Sequence, residues 1–229
     1  MIETIFAIIC IAIIVLLVYK LLQLVISYFK LPFFLYHFIP RFIHEPDIST
    51  SPYYKKRGPV KQYVQTGMWP TIDDPALKEV AEQIKYKTRH MSDRGRASYI
   101  LHYVQQSIGY YSDVKTHGTT EYWELPINTL MSRKGDCEDS AFLCAALMHL
   151  CGLDAIVVHM TGHMTVACTA KPLFETPFTK TYKYNDKIYY RAETTTALVP
   201  YSMSLSNDKP PIECYKIEYP SVEFKRGVK

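Results

Sequence analysis

The feature that most constrains this chain is a change of hydrophobic rhythm at Gly152. Before it, apolar residues recur with a helical period; after it, they alternate. Asp73 or Asp74 can cap a helix with Pro75 at its first position, followed by Ala76, Leu77, Val80, Ala81 and Ile84 on one face. A second helix follows Asp93, is marked by Ala97, Ile100, Leu101, Val104 and Ile108, and stops at Gly109. A third runs from Cys137 to Leu150 and is closed by Gly152. Beyond it, Ala155 to Met160, His163 to Ala170 and Ile188 to Thr194 read as strands. Asn185-Asp186, between Thr181–Tyr184 and Lys187–Tyr190, predicts a hairpin turn, and a last strand is expected around Cys214 to Tyr219. Helices followed by antiparallel strands define the α+β class.

The chain has 229 residues, 48% of them hydrophobic, which is enough for one domain and an additional anchor. A net charge of +4, with Lys and Arg scattered among almost as many acids, argues against a dedicated nucleic-acid binder. Ile5 to Tyr19 carries no charged or strongly polar side chain, and the apolar run resumes after Lys20. Ile5 to Ile26 as a helix spans roughly 33 Å, the thickness of a hydrocarbon core. Residues 1–30 are therefore expected to form a transmembrane anchor. A cleaved signal peptide is disfavoured, because no basic segment precedes the run and no small-residue cleavage site follows it. Residues 31–67, aromatic at first and then Pro-rich and basic, predict an interfacial segment and linker before a domain over 68–229. Lys20, Lys30 and Arg41 all follow the span, which puts the domain on the cytoplasmic side of a single-pass protein. Six cysteines without disulfide-framework spacing suit that reducing compartment.

The chemistry centres on Gly135-Asp136-Cys137-Glu138-Asp139, at the start of the third helix. A thiol there meets unpaired backbone N–H groups and the positive end of the helix dipole, so a lowered pKa and a ready thiolate are expected. Cys144 and Cys151 follow at seven-residue steps, roughly 10.5 Å apart along the helix. That separation is too long for a disulfide or a shared zinc, and they read as core thiols. His163, after Gly162 at a strand start, can bring an imidazole to the mouth of that helix to take the thiol proton. Glu193, ending the next strand, is placed to hold the ring's other nitrogen. His149 lies too far along the helix, and His159 sits mid-strand. Taken singly, each residue has a plainer reading: Cys137 as a core thiol, His163 as a turn residue, Glu193 as a solvated strand-end charge.

Taken together, residues 95–196 resemble the transglutaminase-like superfamily of papain-related thiol enzymes. The likeness rests on Ser107-Ile108-Gly109-Tyr110, Tyr122-Trp123-Glu124-Leu125-Pro126 and Gly135-Asp136-Cys137-Glu138-Asp139-Ser140-Ala141. Gly162-His163 with Val166 and Arg191-Ala192-Glu193-Thr194-Thr195 complete it. The resemblance implies a papain-like domain with helices packed on an antiparallel sheet. It also implies Cys137 as nucleophile toward an amide carbonyl, His163 as base and Glu193 as orienting acid. Trp123 is the implied oxyanion donor beside the Cys137 backbone N–H. Glu193 stands where the family more often has Asp, and Met164-Thr165 replace a small–aromatic pair. The reading is a membrane-anchored thiol hydrolase of amide or peptide bonds that needs no cofactor or metal. Its expected partners are a peptide or protein substrate and membrane lipid. A catalytically inactive binding module, a cross-linking acyltransferase and a zinc-binding module are the alternatives.

Overall fold

The computed structural model describes residues 43–55, 73–196, 199–204 and 210–216, together with Leu17, Val18 and Lys20. Apart from those three residues the expected anchor lies outside the described residues, as do residues 31–42 and 56–67 of the expected interfacial segment and linker. No helix among the described residues is long and apolar enough to cross a membrane. By chain contacts, residues Met1–Phe38 form one unit and Ile39–Lys229 another; the fold below is that of the second.

Helix α1 (Pro75–Lys87) starts because the Asp74 carboxylate accepts from the Ala76 and Leu77 N–H groups at 2.8 and 3.3 Å. All five apolar residues expected on its inner face are buried. Helix α2 (Asp93–Ser107) is capped by the Ser92 hydroxyl. It ends two residues before Gly109 and buries His102, Tyr103 and Gln105 as well as Ala97, Ile100, Leu101 and Val104 of the expected apolar set, while Ile108 follows the helix as its C-cap and is only partly buried. Residues 43–55, within the expected interfacial segment and linker, pack on α1. Ile43 is buried, the His44 N–H donates to Gln83, and Ser51 donates to the Asp74 carboxylate.

Two short strands, β1 (Gly109–Tyr110) and β2 (Lys134–Gly135), pair in parallel. Between them lie the one-turn α3 (Asp113–Thr116) and α4 (Pro126–Ser132). Arg133 closes α4 in the left-handed conformation, φ 55°, which turns the chain into β2. Helix α5 (Cys137–Leu150) follows at once and is the hub of the fold: every side chain from Ala141 to Met148 is fully shielded. It packs on α1, α2 and α4 and on the sheet's inner face. A helix apolar on all sides holds its place only inside such a shell.

The sheet runs β5–β6–β4–β3–β7, antiparallel throughout. Its strands are β3 (Ala155–Met160), β4 (His163–Cys168), β5 (Thr181–Tyr184), β6 (Lys187–Ala192) and β7 (Pro211–Lys216). The β5–β6 turn falls on Asn185-Asp186, both at positive φ, as the sequence predicts. A tighter turn joins β3 to β4: Met160 pairs with His163, and Gly162 between them has φ 73°. A smaller apolar layer of Ile156, Val158, Met160, Ala167, Tyr182 and Tyr189 covers the outer face. The α+β architecture with helices on an antiparallel sheet is therefore the one expected.

Candidate active site

The start of α5 is fixed by a close backbone approach. A Cβ on Gly135 would sit 2.7 Å from the Asp139 Cβ, so only glycine lets that side chain fold back under β2. The Asp139 carboxylate then receives the Glu124 N–H at 2.9 Å and the Asp136 N–H at 3.4 Å. One acid thus ties the loop before α4 to the first turn of α5, and Cys137 is presented at the helix mouth, half-buried.

The Cys137 sulfur has two neighbours. Its S–H donates to Glu138 Oε2 at 3.0 Å, and it accepts from the backbone N–H of Met164, the residue after His163. His163 Nε2–H donates to Glu193 Oε2 at 3.0 Å. That tautomer leaves Nδ1 as the acceptor. The strand register does this work: β3 turns at Gly162 to start β4 on His163, and β6 lies against β4 and delivers Glu193 just past its end. Cys137, His163 and Glu193, distant in sequence, thus lie in one locality where α5 meets β4.

Glu193 is held at every oxygen. Its Oε1 accepts the Thr195 N–H at 3.0 Å and the Thr195 hydroxyl at 2.7 Å, while Oε2 is shared by His163 and the Arg191 guanidinium. Its backbone carbonyl accepts from the Gln105 amide of α2 at 2.6 Å. Burial alone would raise its pKa, but the hydrogen bond and charge of His163, the Thr195 hydrogen bond and the Arg191 charge outweigh it. The carboxyl is held at about 2.

The thiol departs from its sequence expectation. Burial, then the charge and hydrogen bond of Glu138, push the Cys137 pKa up rather than down, and the Met164 N–H only partly opposes them. The helix end favours an anion, but two acids crowd the same turn, and their repulsion together with desolvation exceeds the dipole's pull. Asp136 and Asp139 are each raised to about 8, chiefly by burial.

Trp123, the expected oxyanion donor, is buried against Phe142 and Tyr215, and its indole N–H donates to Glu121 Oε1 at 2.9 Å. Its one N–H is thereby engaged, and the ring serves as a packing anchor. Cys144 and Cys151 are buried free thiols, as expected. The buried carboxylates of Asp113, Asp136 and Asp139 place one oxygen each within 4.8 Å of one another. Such a set could hold a hard cation; it is not a thiolate–imidazole zinc site.

Sequence reasoning missed the partners of the acid. Arg191 is two residues before Glu193 on a strand, so alternation puts both on one face, and that signal was available. Gln105 gave none, because an amide in the last turn of a helix announces no contact 88 residues away.

Residues 75–174 match the family described as a transglutaminase-like domain. The resemblance read from the sequence is thereby shown. The matched stretch holds Cys137 and His163 and stops before Glu193. Among solved structures, the chain is similar to Legionella pneumophila LapG in an EGTA-treated form. The identity is 14%, with 68% of this chain and 81% of that one covered, at a TM-score of 0.43. A second structure of Legionella pneumophila LapG is 15% identical over 69% and 84% of the two chains, at a TM-score of 0.41. No curated protein matches the sequence.

Proposed function

We propose that the protein is a membrane-anchored thiol hydrolase acting on amide or peptide bonds through Cys137, His163 and Glu193. The observation that carries this reading is the hydrogen bond from His163 to a buried, ionised Glu193, on the strand whose next residue touches the Cys137 sulfur. A carboxylate held this firmly fixes one tautomer and leaves Nδ1 free to take a proton.

In the proposed reaction the thiol proton passes to His163 Nδ1 as sulfur bonds to the amide carbonyl carbon. His163 then returns the proton to the leaving nitrogen as the C–N bond breaks, giving a thioester and an amine. Water, deprotonated by the same ring, attacks the thioester, releases the acid and restores the thiol. Because the Cys137 pKa is raised, the proton must leave as the carbon–sulfur bond forms rather than beforehand. With Trp123 engaged elsewhere, the Cys137 backbone N–H is the remaining expected oxyanion donor. The apolar run of residues 1–30 would tether the domain, by the charge pattern on the cytoplasmic side, and a peptide or protein would be its substrate.

One observation favours a second reading. The thiol donates to Glu138 instead of His163, as expected of a transglutaminase-like binding module whose site does no chemistry. Turnover of a fluorogenic peptide-amide library by the full chain in detergent separates the two. The hydrolase reading expects turnover that Cys137→Ala and His163→Ala each abolish with the thermal midpoint preserved. Equal turnover by Cys137→Ala would end it.

A further inference from the structure

Among the described residues the side chain of Arg191 is the largest that is fully buried, with its guanidinium beside the candidate site. A guanidinium is expensive to bury, and an apolar residue of similar size would fill the space at lower cost. Its presence therefore asks for a task that charge and fork geometry perform. The partners show one. Nη2 reaches Glu193 Oε2, the oxygen that also receives His163 Nε2–H, and Nη1 donates to the Ser204 hydroxyl at 2.9 Å. The Arg191 backbone is sewn on both sides, its N–H to the Lys180 carbonyl and its carbonyl to the Ser202 N–H. The guanidinium is thus fixed at both ends.

We infer that Arg191 is a positioning residue of the Cys137–His163–Glu193 group, a buried cation that clamps the longer Glu193 side chain against His163. The inference deepens the hydrolase reading and rests on it. The reason lies in the chain length of the acid. Glutamate has one more rotatable bond than aspartate, and an unclamped glutamate would spread over rotamers that lose the imidazole. Thr195 holds Oε1 and Arg191 holds Oε2, so the additional torsion is locked from both sides. Arg191 also shares the carboxylate's charge with the imidazole. Without it, the whole Glu193 charge would act on the imidazole and favour its protonated form, leaving less of the ring able to accept the thiol proton at a given pH. The charged and titratable groups around this contact are His163 on β4, Arg191 on β6, and Cys137 with Glu138 on α5. Helix α2 contributes the neutral Gln105 amide, with His102 bonded behind it. A lysine could supply the charge but not the planar fork.

The test uses the full chain in detergent with p-nitrophenyl acetate as acyl donor, Cys137→Ala as the blank, and pH–rate profiles for R191K, R191M, E193Q and R191M/E193Q. The clamp expects R191M to lower kcat by about tenfold or more with KM little changed. It expects the acid limb of the profile to move up by about half a pH unit or more. R191K should restore the limb but only part of the rate. In the E193Q background R191M should cost nothing further, because a residue acting through Glu193 has nothing left to act on. A loss of the same size in both backgrounds, or an unmoved limb with full rate in R191M, would overturn the inference. If R191M alone does not fold, the partial rate of R191K with an unmoved limb, together with equal rates for E193Q and for the double variant, which buries no lone charge, decides the question. Turnover undiminished in Cys137→Ala would instead defeat the hydrolase reading, leaving no reaction for the clamp to serve.

Discussion

Glu193 offers the sharpest test of the electrostatics. The carboxyl is held at about 2 against an ordinary 4.5, with a side chain only 7% exposed. A folded pKa below the unfolded one means that the folded state prefers the ionised form. The resulting stability is complete above pH 4.5 and is lost as pH falls from there toward 2. At about 1.4 kcal/mol per pH unit, the gap is worth about 3 kcal/mol at neutral pH, of which about 2 kcal/mol is gone by pH 3. The perturbation is Glu193→Gln, near in shape and unable to titrate. It also leaves the Arg191 charge buried without its ion partner, which costs about 3–5 kcal/mol at every pH. That offset tells nothing about titration, so the slope is the quantity to read. Urea unfolding followed by CD at half-unit steps between pH 6 and 3 gives the stability of each protein. The difference between wild type and Glu193→Gln should shrink by about 2 kcal/mol across that interval. Every carboxyl unaffected by the substitution, including Asp136 and Asp139, cancels in the difference. Parallel curves would show that Glu193 is not held ionised by its neighbours, and the account of the site built on that hold would fall with it.

Two further outcomes follow from the first turn of α5. Glu138→Gln removes the charge that opposes ionisation of the Cys137 thiol, so carboxamidomethylation of Cys137 by iodoacetamide at pH 8, read by mass spectrometry, should accelerate by about tenfold; an unchanged rate would remove Glu138 from the account of the raised pKa. Gly135→Ala forces its Cβ onto the Asp139 side chain, so the domain should lose about 1–3 kcal/mol in urea unfolding, and a neutral effect would mean that Asp139 is free to move aside.

What the sequence displayed, and what it hid, divides along the range of the interactions involved. α1, α2 and α5 were legible because each is written locally: an acid or hydroxyl cap, a proline at the first position, an apolar face, a stop at Gly152. The β5–β6 and β3–β4 turns were equally plain, since a left-handed residue or pair between alternating strands has few other uses. β1 and β2 were invisible. Two residues each have no periodicity, and their parallel pairing depends on α4 returning the chain to Gly109. The thiol's pKa was misjudged for a similar reason. The helix N-terminus is a local feature that sequence shows, whereas burial is the sum of what elements distant in sequence, β4 among them, bring to the same place.

That division explains why the three candidate residues could be named from sequence while the state of each could not. Cys137, His163 and Glu193 stand at punctuation marks: a helix start, a turn exit and a strand end. At such positions the backbone stops pairing with itself and a side chain can be presented to a cleft. Their behaviour is set by second neighbours lodged in regular structure, Arg191 within β6, Gln105 within α2 and Glu138 one residue into α5, where a sequence reads as scaffold. Two of these act in opposite senses on the proposed chemistry. Arg191 adds to the hold of His163 and Thr195 that keeps the acid ionised at one end of the imidazole, and Glu138 adds to the burial that resists the thiolate at the other. With a committed acid and a reluctant thiol, His163 is the part that must move the proton. In the proposed reaction, drawing the thiol from Glu138 toward Nδ1 is therefore the step that must precede acyl transfer.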